Sequence, residues 1–166
     1  MFDFDKFYND LLTREYQPNN HWNQFPRGRL LQFKEQTLSL LKDNLKTKNS
    51  RNLEVVLALI FYDGADTDYT DYLLDLLDQY WHTCEEDIIR ILEIIKDPKS
   101  VDKLYELAVN IPDWDEMRGM AKKCMWALNA INNEESFKKL LLLQQNGDPI
   151  IKETAEELIK RKLDGN

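Results

Sequence analysis

Two short stretches concentrate side chains that could do chemistry. The first is "DGADTDYTD" at 63–71. Closely spaced aspartates are the raw material of a calcium loop, in which Gly must stand sixth and a bidentate Glu twelfth. Counted from Asp63 those positions hold Asp68 and Leu74; counted from Asp66 they hold Asp71 and Leu77. Neither start fits, and the stretch reads as a turn at Gly64 followed by an acidic helix start. The second is "QYWHTCEED" at 79–87, with His82, Cys84 and three acids. Tetrahedral zinc needs about four ligands within reach, and the chain has one other histidine, His21, in a distant loop. His82 reads as an inter-helix residue beside Trp81. No Gly-rich phosphate loop, no Gly-x-Ser-x-Gly and no His-Glu-x-x-His occurs. The expectation is no catalytic residue, no metal and no cofactor.

What remains is charge. Between Asn52 and Ile95 stand eleven acids and one base, a net charge of −10, whereas the remaining acids and bases nearly balance. Such a segment repels phosphates and attracts basic protein surfaces, so neither nucleic acid nor membrane is expected as its partner. Asp71, Asp75 and Asp78 recur at i, i+4 and i+7, which places them on one stripe of a helix. Like charges at this spacing cost a few tenths of a kcal/mol per pair, so local stability does not account for them. We expect a partner-binding face of Asp71, Asp75 and Asp78 with Asp66, Asp68, Tyr69 and Tyr72 at its edge. Trp126, nearly opposite the centre of its helix's apolar stripe, and Trp114, at a loop–helix junction, are the alternative anchors. The loop 17–27 with its neighbours, "NNHWNQFPRGR", offers His21, Trp22, Arg27 and Arg29 but no base with an orienting acid, and reads as a tether.

The elements that must position these residues are helical. Apolar spacing predicts helices at about 2–16, 28–46, 51–62, 67–81, 85–96, 99–109, 114–131, 134–145 and 149–163, and no stretch alternates as a strand. No apolar run is long enough to cross a bilayer. The acidic, amphipathic start "MFDFDKFYNDLL" lacks the features of a secretory signal. Cys84 and Cys124 match no disulfide framework. One domain over 1–166 in a reduced, cytoplasmic setting is expected.

The chain repeats itself. "DPKSVDKL" begins at Asp97 and "NEESFKKL" at Asn133, an offset of 36 residues that extends backward, Leu92 onto Leu128 and Ile95 onto Ile131. The echo covers a helix, a turn and a second helix, and units of this length bury their faces on one another. At these residues, above all "ILEIIKDPKSVDKLYEL", the chain resembles the short HEAT-like repeat. "NGDPIIKETAEELIKRKL" is similar to the Asp-Pro start of a further unit. The likeness is fair over 84–163, weaker over 51–81 and absent before about 50. It implies an all-α, short right-handed α-solenoid of about four HEAT-like helical hairpins, with the N-terminal helix as a cap that sets Phe4, Phe7, Tyr8 and Leu11 inward. HEAT-like repeats serve mostly as binding surfaces. Small size, acidity and repeat type also resemble bacterial immunity proteins, which implies neutralisation of a cognate toxin, for instance a nuclease with a basic groove. The alternatives are a HEAT-like enzyme, such as a DNA glycosylase or a bilin lyase, and a scaffold or assembly protein.

Overall fold

A computed structural model of the chain describes residues 2–13, 22–26, 31–113 and 115–164. Among these it is all-α, with nine α-helices and no strand: α1 (Phe4–Thr13), α2 (Lys34–Thr47), α3 (Ser50–Asp63), α4 (Thr70–Leu77), α5 (Glu85–Ile95), α6 (Val101–Val109), α7 (Gly119–Ile131), α8 (Glu134–Leu143) and α9 (Pro149–Leu163). No helix among the described residues is long and apolar enough to cross a membrane. The chain forms two compact units, Met1–Cys84 and Glu85–Asn166.

In the first unit α2 and α3 pack together, and α1 docks on α3. One core cluster of this unit is aromatic. Phe4, Phe7, Phe25 and Phe33 are buried with Leu59, and Phe2, Tyr8, Leu11 and Trp22 lean on them. Phe4 stacks on Phe33 at 5.0 Å between centroids, and Trp22 stacks on Tyr62 at 4.4 Å. The loop read as a plain tether therefore supplies Trp22 and Phe25 to this core. Its polar composition hides that role, because two rings among polar residues make no apolar period.

In the second unit α7 is the hub, packing on α5, α6, α8 and α9. Ala121, Cys124, Met125, Ala127 and Leu128 are all fully buried. Three of these are small, which lets four helices approach one. The 36-residue echo is present in the turn between the helices, although Asp97 caps a 3-10 turn and Asn133 an α-helix. Lys96 and Asn132, which end α5 and α7, both take left-handed backbone (φ 58° and 55°), and their N–H groups donate to the carbonyls of Leu92 and Leu128. Asp97 and Asn133 follow as caps, accepting from the backbone N–H groups of Lys99 and Ser136. Ser100 and Ser136 are buried, and Leu104 and Leu140 are fully buried. Within this second unit α5 and α6 are tied to α7 and α8 by ion pairs offset by one residue more than the echo: Glu86 with Lys123, and Asp102 with Lys139 at 2.8 Å.

Three helices start late or stop early against their periodicity. α2, expected from 28, begins only at Lys34, after a left-handed Leu31 (φ 58°). The expected 114–131 helix begins only at Gly119. Asp115, itself buried, accepts from the N–H groups of Gly119 (2.6 Å) and Met120 (3.1 Å), and Arg118 is left-handed (φ 56°). The segment is a capping turn, and Met117 of the expected apolar stripe points to solvent at 72% exposure. The expected 67–81 helix starts as a 3-10 turn at Thr67–Tyr69 and stops at Leu77. His82 ends it. Its Nδ1 accepts from Cys84 N–H (3.2 Å), so Nε2 is the donor to the Leu76 carbonyl (3.0 Å), which also accepts from Gln79 N–H (2.9 Å).

Leu128, fully enclosed in the hub, should cost about 2–5 kcal/mol when cut to Ala, the penalty of a buried cavity; urea unfolding measures it. A second expectation concerns acid. Arg118 Nε donates to Asp148 Oδ2 at 2.7 Å, and this bond, aided by the N–H groups of Ile150 and Ile151, holds the Asp148 carboxyl below its usual range against a smaller opposing effect of burial. A depressed folded pKa gives stability that is full above the unfolded pKa and lost as pH falls through the folded one. Asp148→Asn should keep the cap, lose the ion pair, and flatten the fall in melting temperature between about pH 5 and pH 2.

Candidate functional site

The acidic stretch 63–78 divides into an inward half and an outward half. Asp63 ends α3 and is 1% exposed. Its Oδ2 accepts from Phe33 N–H at 2.9 Å, Gln32 N–H also bonds the carboxylate, and its carbonyl accepts from Leu31 N–H at 2.7 Å. Burial pushes the carboxyl above its usual range, and the two backbone N–H groups work against that. Asp63 is thus an internal clamp on the turn that starts α2. Gly64 follows at φ 98°, a conformation that carries a Cβ badly.

Lys34, at the first position of α2, reaches back to the same stretch. Its ammonium lies 2.5 Å from Asp66 Oδ2 and 2.5 Å from Asp68 Oδ2. Hydrogen bonds to these two carboxylates raise its pKa well above that of a free lysine. Asp66 also caps the 3-10 turn by accepting from Asp68 N–H. Two charges expected at the edge of the binding face are therefore paired within the unit. Tyr69, expected beside them, is corrected outright. It is fully buried, its hydroxyl lies 2.6 Å from Thr37 Oγ1, and burial raises its pKa. It locks α2 to the start of α4 and cannot meet a partner. Helical spacing itself sets Tyr69 with the buried Leu73 (i+4) and Leu76 (i+7), on the side away from Asp71, Asp75 and Asp78, so its nearness in sequence to the aspartates is misleading.

The outward half lies on α4. Thr70, Leu73, Leu76 and Leu77 bury one side of this helix, while Asp71, Asp75 and Asp78 are exposed on the other. Asp78 is the residue that ends the helix. Tyr72 is half-buried with the Lys42 ammonium 5.2 Å above its ring. Tyr80 is fully exposed just beyond, whereas Tyr62 spends one face on Trp22. The structure keeps the three expected carboxylates together on a well-seated helix, and takes Asp66, Asp68 and Tyr69 into internal work.

The other candidates lie elsewhere. Trp126 stands on α7, in the second unit, at 45% exposure. Trp114, His21, Arg27 and Arg29 lie outside the described residues. Among the described residues no group of three His, Cys, Asp or Glu side chains is placed to hold a metal ion. Cys124 is buried, which pushes its thiol up to about 12 with help from nearby Asp115, so it is not a nucleophile near neutral pH. Sequence reasoning missed Lys34 and Thr37, whose partners are more than thirty residues away. It missed the role of Asp63 despite a signal: an acid in the last turn of a helix opposes the dipole, so something other than helix stability must hold it there.

No family model, curated protein or solved structure matches the chain.

The division makes a contrast measurable. Asp63→Ala leaves buried N–H groups without an acceptor and should cost about 1–3 kcal/mol. Asp75→Ala should stay within about 0.5 kcal/mol of neutral, or stabilise by easing repulsion along α4. Urea titration of the two variants decides; a severe loss for Asp75→Ala would make the stripe structural.

Proposed function

We propose that this protein acts by binding rather than catalysis, and that the α4 face engages a basic protein surface. The observation that carries the reading is the rigid presentation of Asp71, Asp75 and Asp78 on a helix whose opposite side is buried in its unit. Like charges at this spacing repel one another, and an approaching cation eases that repulsion. Exposed Tyr80 supplies an aromatic contact beside it.

The architecture we propose is a short right-handed HEAT-like α-solenoid. Support comes from the matched left-handed residue, cap, buried Ser and buried Leu at a 36-residue offset in 85–143. The more specific form of the functional reading is an immunity-type role, in which the face covers the basic groove of a cognate toxin. It rests on the resemblance in size, acidity and repeat type together with the carboxylate stripe. A reduced, cytoplasmic setting is part of this proposal and is supported by two buried free cysteines.

Steering charges act mainly on the association rate and are screened by salt. The triple change Asp71→Asn, Asp75→Asn and Asp78→Asn should slow association and flatten its salt dependence, while the circular dichroism spectrum and melting temperature stay unchanged. Stopped-flow mixing with the partner recovered by crosslinking and identified by mass spectrometry is the measurement. An association rate unchanged at low salt would overturn the assignment of this face.

A further inference from the structure

The outward faces of α5 and α7 are written in complementary pairs. At 100° per residue, Glu86, Asp87, Glu93 and Ile94 fall within about 60° of the direction of Arg90, away from the buried Ile88, Ile89, Ile91 and Leu92. The 36-residue offset carries these positions onto Lys122, Lys123, Asn129 and Ala130 of α7, with Trp126 in the place of Arg90. Position is kept, and at the first two positions charge is inverted. Three acids and three bases make this face neutral in a chain of net charge −8. It also bears two large exposed apolar side chains, Ile94 at 46% and Trp126 at 45%. The two helices pack together with their N-terminal ends side by side, since Glu86 pairs with Lys123 and a Cβ on Gly119 would lie 3.7 Å from Glu86 Oε1.

We propose that this face is a two-fold interface, occupied by a second copy of the same chain. An isologous contact requires a surface complementary to itself. Take a two-fold axis lying in the interface, parallel to α5 and α7 and midway between them. Rotation about it keeps height along the helices and lays α5 of the copy over α7 of the first. Glu86 and Asp87 of one chain then oppose Lys122 and Lys123 of the other. Ile94 opposes Ala130, and Arg90 opposes the face of Trp126, a favourable cation–aromatic arrangement. Each pair occurs twice. The pair between Glu86 and Lys123 within one chain fixes the two helices side by side, and Asp87 and Lys122 carry the recognition between chains. Copies repel one another over the rest of an acidic surface, so a neutral face with an apolar centre is where they can meet. The face lies in the second unit and is independent of the α4 reading.

Sedimentation velocity of the full chain tests this from about 1 μM to about 200 μM, the range in which a dimer with Kd on the order of 10 μM changes its mass. The expected result is a concentration-dependent rise toward twice 19.8 kDa. Trp126→Ala, an exposed position, should weaken association roughly tenfold or more. Asp87→Lys and Lys122→Glu should each give a monomer with an unchanged circular dichroism spectrum. Mixing those two monomers should restore a dimer, because each contact then pairs opposite charges; repair within one chain cannot do this. A wild-type chain that stays monomeric throughout, a Trp126→Ala chain that associates as wild type, or a mixture that fails to associate would each overturn the proposal.

Discussion

Every helix start leaves backbone N–H groups with no partner inside the helix, and this chain answers that constraint with short polar side chains. Asp3, Asn49, Asp66, Asp97, Asp115, Asn133 and Asp148 each accept from one or two of these donors. Asp63 does the same for the turn before α2. The caps fix where helices begin, and the beginnings fix which face each helix presents. Moving the start of α7 from the expected 114 to Gly119 released Met117 from the core, because its backbone was needed for the turn that Asp115 closes. Part of the acidity, Asp63 and five capping aspartates, is therefore spent on backbone N–H groups rather than on the surface.

The repeat was readable because its parts are local. A left-handed residue, a cap, a buried Ser and a Leu four residues later fall within one octet and its approach, so the 36-residue echo in the sequence is an echo of backbone conformation. Helices at 51–62, 85–96 and 149–163 are found within a residue or so of their expected bounds for the same reason. What stayed hidden was long-range. The hydroxyl of Tyr69 needed Thr37, and Asp66 and Asp68 needed Lys34; nothing in the spacing of an acidic stretch says that a lysine over thirty residues upstream will reach it. The loop aromatics Trp22 and Phe25 were hidden likewise, since a pair of rings between amides has no period to read.

A charge run in a sequence is also not a patch on a surface. The −10 segment from Asn52 to Ile95 crosses the division at Cys84 and Glu85 between the two units. In the first unit Asp63 is buried, and Asp66 and Asp68 share Lys34. In the second, Glu86 is paired with Lys123, and Glu85, Glu86 and Asp87 lie in the first turn of α5, where the helix dipole favours them. The linear count overstates the field that any one partner would meet. The carboxylates of α4 are a different case. At about 1.5 Å of rise per residue, the span from Asp71 to Asp78 is roughly 10 Å, comparable with a Debye length of about 8 Å at physiological ionic strength. A cation approaching that helix meets the three carboxylates as one charge group, and their attraction fades together with added salt.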